Sequence, residues 1–303
     1  MIKHIDFSSH QHEGIEQCRR LFHGRGGVFS GFEHIAIDWL PPVALIILYK
    51  EEDPAWVQQV ANDLKANLPA CSSVQVQYRC RPKAPTETVL GDEINDLVVD
   101  ENGLKFHAQL GRAQNTGLFL DMHNGREWVR QSAAGKRVLN LFAYTCAFSV
   151  AAIAGGASHV VNMDVSKSAL SKGRDNHRLN QQDTSQVTFQ GVDIFRSFSR
   201  LKKYGPYDLL VCDPPEFQKG SVDIKRDYKK IIRRIPALMN PGAQLMLCLN
   251  SPHLPESFLH DTVAEECPSC RFVEALHPPQ VYVDATPNKA LKILIYTYDV
   301  TPV

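Results

Sequence analysis

The sequence has no surplus charge of either sign: 33 lysines and arginines stand against 33 aspartates and glutamates. That balance excludes a chain that coats nucleic acid by charge alone, but not a local basic patch. Long hydrophobic runs are also missing. The longest, VALIILY at 43–49, is far too short to span a bilayer. The start, MIKHIDFSSHQHEG, lacks the basic-then-apolar order of a secretory leader. A cytoplasmic location with no membrane partner is therefore expected. Among eight cysteines only Cys267 and Cys270, in CPSC, lie close together, with no second pair and no spaced histidines to complete a metal site. No bound metal is expected, and nearby thiols in a reducing compartment are the simpler reading. Repeats and low-complexity tracts are absent.

What is present is an ordinary globular composition, 44% apolar and 22% charged, in 303 residues, more than one typical domain needs. The rhythm divides it. Residues 1–110 predict a small α+β domain. HIAIDW and VALIILY read as strands separated by Pro41-Pro42, and SVQVQYRC as a half-buried strand. DPAWVQQVANDLKANL predicts a helix with Asp53 as N-cap and Pro54 as its first residue. Its apolar face is Trp56, Val57, Val60, Ala61 and Leu64. Asn102-Gly103 between two strand-like runs predicts a hairpin.

Residues 111–303 alternate strand and helix, which predicts an α/β, doubly wound, mostly parallel sheet. RVLNLFAY, HVVNMDV, QVTFQGVD, YDLLVCD and AQLMLCLNS are its strands. Pro236 must kink or interrupt the helix KRDYKKIIRRIPALMN. RFVEALH and LKILIYTY follow with no helix between them, which predicts an antiparallel edge.

In such sheets ligands sit at the carboxyl ends of the strands. The turn after the first strand, AYTCAFS, lacks the G-x-G-x-x-G on which a dinucleotide pyrophosphate rests. The next three strands end in Asp164, Asp193 and Asp213. Carboxylates at strand ends suit a ligand with hydroxyl and amino donors, a cation and no phosphate, and S-adenosylmethionine is such a ligand. Asp164 and Asp193 could each instead cap the helix that follows.

NTGLFLDMHNGR, VLNLFAYTCAFSVAAIAGGASHVVNMDVSKSAL and DLLVCDPPEFQKG with VDIKRDYKKII carry a resemblance. Together they resemble class I S-adenosylmethionine-dependent methyltransferases of the 23S ribosomal RNA large-subunit type, in the guanine nitrogen-7 and cytosine carbon-5 branches. The resemblance covers Thr116 to Ser251 most strongly. It implies a Rossmann-like seven-stranded methyltransferase sheet, S-adenosylmethionine as cofactor and ribosomal RNA as partner, with the N-terminal domain on the substrate side. Thr116, Gly117, Phe119 and Asp121 match the segment over the cofactor, and Asn140, Phe142, Tyr144 and Thr145 the first-strand loop. Asp164 matches the ribose carboxylate and Asp193 the adenine-side one. Asp213, counted with both cofactor and catalysis, joins Pro214 and Phe217 on the catalytic face. Where the family has glycine after Y-T, this chain has Cys146, so a differently turned loop is expected.

The acceptor sets the remaining demands. Cytosine carbon-5 needs a thiolate to add to the ring first. The family's cysteine position holds Asn250 here, with Cys248 two residues deeper and Cys212 before Asp213. Guanine nitrogen-7 already has a lone pair and needs only orientation. Asp213 would accept from the guanine edge, and Phe217 either stacks on the base or packs in the core. Glu216 stands where amino-group methylases place an aromatic, which argues against that acceptor. Lys219, Lys225, Arg226, Lys229, Lys230, Arg233 and Arg234, with Arg19, Arg20 and Arg25, are candidate phosphate contacts. Base methylation of ribosomal RNA, with guanine nitrogen-7 favoured, stands against a small-molecule or protein methyltransferase and against a non-catalytic S-adenosylmethionine-binding module.

Overall fold

The computed structural model describes all residues except 8–10, 13–14, 219–221, 287–288 and 300–303. Lys219 therefore lies outside the described residues. The chain forms two compact units, Met1–His123 with Pro279–Pro287, and Asn124–Pro278 with Asn288–Val303.

The first unit is built on a five-stranded sheet whose strands lie side by side in chain order. They are β1 (Arg19–His23), β2 (Ile35–Leu40), β3 (Val43–Leu48), β4 (Ser73–Tyr78) and β5 (Thr86–Leu90). Only β3 and β4 are parallel, because helix α1 (Pro54–Asn67) carries the chain back between them. The Asp53 carboxylate caps α1 by accepting from Ala55 N at 2.8 Å, and Val57, Val60, Ala61 and Leu64 are buried against the sheet. The hairpin of β6 (Asp96–Glu101) and β7 (Leu104–Gln109) turns at Asn102 and Gly103, φ 53° and 75°.

Two expectations change here. β4 is buried on both faces, not one: Ser73, Gln75 and Gln77 are covered and donate to the carbonyls of Asp92, Ile94 and Ala113. The unit also runs past residue 110, the expected boundary. Gln109 N donates to Thr116 O at 2.8 Å, folding the next segment back onto β7. Residues 279–287 return to it as well: Ala285 N donates to Gly26 O at 2.7 Å, and the Arg20 guanidinium lies 5.0 Å from the Tyr282 ring centre.

The second unit holds helix α2 (His123–Ser132) and a seven-stranded sheet. Its strands are β8 (Arg137–Leu141), β9 (His159–Asp164), β10 (Val187–Gly191), β11 (Tyr207–Cys212), β12 (Met239–Leu249), β13 (Cys270–Leu276) and β14 (Lys292–Tyr298), in the order β10-β9-β8-β11-β12-β14-β13. The first five are parallel and the last two antiparallel, as their missing crossover helix required. Helices α3 (Ala147–Ala154), α4 (Lys167–Leu179), α5 (Phe198–Tyr204), α6 (Ile224–Ile232), α7 (Ile235–Leu238) and α8 (Glu256–Glu266) connect them. Pro236 interrupts the expected single helix, so α6 and α7 are separate. Val160, Val161 and Met163 of β9 and Leu209 to Cys212 of β11 are covered on both faces, and each fully buried aliphatic side chain contributes about 1.5–3 kcal/mol. Strand order reverses between β8 and β11, and their carboxyl ends flank the crevice where this architecture takes ligands. No helix among the described residues is long and apolar enough to cross a membrane.

Candidate active site

The turn after β8 is strained in a specific way. Phe142, Tyr144 and Cys146 all have left-handed backbones, φ 59°, 46° and 61°, without being glycine. Each such residue costs about 1–3 kcal/mol and persists only where its surroundings hold it. Ala143 N donates to Met163 O at 3.1 Å, Tyr144 N to Asp164 Oδ2 at 2.9 Å, and Asn176 Nδ2 to Thr145 O at 3.0 Å. Cys146 takes the family's glycine position by borrowing space from α4. A Cβ on Gly173 would overlap its sulfur and come within 2.8 Å of its own Cβ. Cys146 itself sits at φ 61°, the left-handed conformation that favours glycine. Burial, then the charge of Asp164, pushes the Cys146 thiol well above its ordinary range, so it stays protonated and inert.

Asp164 is half-buried and is not the cap of α4. That role belongs to Ser166, whose Oγ accepts from Ala169 N at 3.2 Å. Asp164 accepts one main-chain N–H on each oxygen, Tyr144 N and Ser166 N at 2.7 Å, which leaves each oxygen another lone pair for a ligand donor. Asp193 caps only the three-residue 3-10 turn Ile194–Arg196, accepting from Phe195 N at 2.8 Å with Arg196 Nε 3.6 Å away, and α5 starts beyond it at Phe198. Asn140 is buried and commits its amide to Asn162 Oδ1 at 2.8 Å, so it acts inside the wall of the site.

That contact begins a buried polar chain. Asn162 donates to Ser149 Oγ at 2.9 Å, Ser149 meets His177 Nε2 at 2.9 Å, and His177 Nδ1 meets Gln182 Oε1 at 2.6 Å. Burial lowers the His177 pKa to about 4. The unfolded chain then takes up a proton near pH 6.5 that the folded chain refuses until about pH 4. Stability is full above pH 6.5 and falls as the pH drops through that window, by about 2 kcal/mol at pH 5. His177→Gln, followed by denaturant unfolding from pH 7.5 to 5, is expected to be less stable than wild type at pH 7.5 but to lose less on acidification. Parallel curves would contradict the assignment.

On the other side of the crevice, Asp213 is half-buried, Pro214 buried and Phe217 69% exposed, which rules out core packing for Phe217. Phe217-Gln218 pairs with Val222-Asp223 in a short ribbon leading into α6. Glu216 turns to the neighbouring strand: its Oε1 accepts from Ser251 Oγ at 2.6 Å. Ser251 O in turn accepts from the buried Lys292 ammonium at 2.8 Å. The acceptor loop is thus braced against the turn after β12. Nothing in the local sequence marks Ser251 or Asn176, whereas Lys292 carries one signal, a lysine inside the apolar run LKILIYTY. Cys212 and Cys248 are fully buried, and the Tyr228 hydroxyl donates to Cys248 O at 2.9 Å, pinning the strand end beneath the loop. Burial raises the Cys212 thiol out of the reactive range.

Thr116, Gly117, Phe119 and Asp121 all lie in the first unit. Phe119 is 43% exposed, and Asp121 is the middle residue of a short 3-10 turn, Leu120–Met122. Arg20 is not a free phosphate contact, because it is mostly covered and ion-paired to Asp38; Arg25 is exposed, its guanidinium 3.9 Å from the Tyr49 ring centre. Cys267 and Cys270 are free thiols 3.4 Å apart, and no group of three or more metal-ligating residues forms among the described residues.

Residues 19–297 match the family described as S-adenosylmethionine-dependent methyltransferase. The chain belongs to that family. S-adenosylmethionine is accordingly its cofactor, and the strand ends fit it: carboxylate acceptors at Asp164 and Asp193, and no glycine nest for a pyrophosphate. Among the methyltransferases it resembles, the Ribosomal RNA large subunit methyltransferase I of Erwinia tasmaniensis is 34% identical over 212 residues, 67% of this chain and 54% of that protein. The Ribosomal RNA large subunit methyltransferase K of Neisseria meningitidis serogroup B is 34% identical over 228 residues, 73% of this chain and 64% of that protein. The chain therefore spans about half to two thirds of the length of these relatives. A solved methyltransferase structure complexed with SAH superposes with a TM-score of 0.80 at 24% identity, over 93% of this chain and 75% of that one, which shows the shared fold.

Proposed function

We propose that this methyltransferase acts on a base of ribosomal RNA, and on guanine nitrogen-7 rather than cytosine carbon-5. One observation carries the choice of acceptor: beside the acceptor loop there is an exposed aromatic and a half-buried carboxylate but no accessible thiol. Cys248 is fully buried and the exposed residue at the strand end is Asn250. The relatives named as large-subunit RNA methyltransferases support the substrate class.

Bound at the strand ends, the cofactor supplies a methyl carbon activated by a sulfonium. Asp164 would accept from the ribose hydroxyls and Asp193 from the adenine amino group. Phe142, Tyr144 and Thr145 would supply the strained wall of its site, and the family resemblance assigns Thr116, Gly117, Phe119 and Asp121 a cofactor-binding role as well. Pro214 keeps the loop extended with no N–H of its own, Phe217 stacks on a base brought out of its helix, and Asp213 accepts from the guanine edge so that nitrogen-7 is aimed at the methyl carbon. No residue of this chain needs to take a proton from the acceptor, because nitrogen-7 already carries a free lone pair.

Cys248→Ser separates the chemistries. The variant should methylate ribosomal RNA at close to the wild-type rate, and digestion to nucleosides should yield 7-methylguanosine. Loss of activity in a folded variant, with 5-methylcytidine as the wild-type product, would establish the thiolate route instead.

A further inference from the structure

Helix α6 has one exposed face, and it is made only of cations. From Ile224 to Arg234 the exposed residues are Lys225, Arg226, Lys229, Lys230, Arg233 and Arg234; Ile224, Asp227, Tyr228, Ile231 and Ile232 are all buried. The stripe runs about 12 Å along the helix from the end of the Phe217 ribbon. A face selected only for solubility mixes signs, because like charges four residues apart destabilise a helix. Here 225/229 and 226/230 are like pairs within α6, and Arg233 and Arg234 extend the cations into the turn that follows it. Local carboxylates neutralise part of the stripe: Asp227 takes Arg226 at 2.7 Å and Lys230 at 2.8 Å, and Glu266 takes Arg233 at 2.6 Å. Lys225 and Lys229 have no ion pair among the described residues. In a chain with no net charge, this is a concentrated field beside the acceptor loop.

We infer that the exposed face of α6 is the docking surface for the phosphodiester backbone of the RNA substrate, with Lys225 and Lys229 each neutralising a phosphate. The inference rests on the RNA reading above and adds to it the surface that holds the substrate in register while Phe217 engages the base. Charge complementarity selects this occupant: the stripe offers closely spaced cations and no apolar patch, which suits a polyanion better than a folded protein face.

The test uses the full chain, its Lys225→Gln/Lys229→Gln variant and protein-free ribosomal RNA, with binding measured from 50 to 200 mM salt. Both lysines are exposed, so the variant keeps the fold. Two lost phosphate contacts should flatten the slope of log K against log salt by about 1.4–1.8 and weaken RNA binding at 0.1 M salt by at least about ten-fold. S-adenosylmethionine affinity should not change. An unchanged salt slope while wild type binds and methylates the RNA would overturn the docking surface and leave the function standing. An unchanged slope with weakened binding to whole ribosomal subunits would assign the face to an acidic protein, overturning the inference equally. Wild type that neither binds nor methylates ribosomal RNA would overturn the functional reading and this surface together.

Discussion

Asp164→Ala is expected to weaken S-adenosylmethionine binding by about 100-fold or more. Hydrogen bonds to a charged acceptor are worth about 1.5–3 kcal/mol each, and the proposed role gives this carboxylate two ribose hydroxyls. The same side chain holds Tyr144 N at 2.9 Å, so its loss also frees a loop whose left-handed residues relax once unheld. Asp164→Asn keeps one carbonyl acceptor and should fall between wild type and alanine. Calorimetric titration of the cofactor reads both effects directly, and near-native affinity in the folded alanine variant would remove Asp164 from the site.

Asp213→Ala should leave a protein that still binds cofactor but turns over about 100- to 1,000-fold more slowly, the range seen when one preorganised polar partner of a reacting group is lost. The loop itself should survive, because Glu216 braces it through Ser251 and Pro214 stays buried. The loss should therefore fall on kcat in single-turnover methylation rather than on cofactor affinity. Asp213→Asn keeps the shape and removes the charge; if it restores most of the rate, geometry rather than charge is what Asp213 supplies. A full native rate for the alanine variant would place the acceptor contact elsewhere.

Asp213 was legible from the sequence because it ends the apolar run LLVC of β11, whereas Asp164 and Asp193 were legible only as the last acidic residue of a strand-like segment, since Asn162 and Gln190 already interrupt theirs. Pairings distant in sequence were not legible. Gly173 makes room for Cys146 across 27 positions, and no local periodicity links them. Ser251 and Lys292 brace Glu216 through contacts that exist only once β12 and β14 pair. The buried glutamines of β4 mislead for a related reason: alternation marks a polar face as solvent-facing, whereas here main-chain carbonyls satisfy it. Residues 279–287 lie between two strands of the second unit in sequence yet fold with the first, so a single division point near 110 could not have described both. The basic run after the acceptor loop was visible as composition, but only the burial of Asp227 and Tyr228 shows its cations sharing one face.

The decisive measurement is nucleoside mass mapping of ribosomal RNA from a strain lacking this protein. One methylated guanine, modified at nitrogen-7, should disappear from the ribosomal RNA and return when the wild-type gene, but not its Asp213→Ala form, is restored. A ribosomal RNA methylation pattern identical to that of the parent strain would contradict the proposed function.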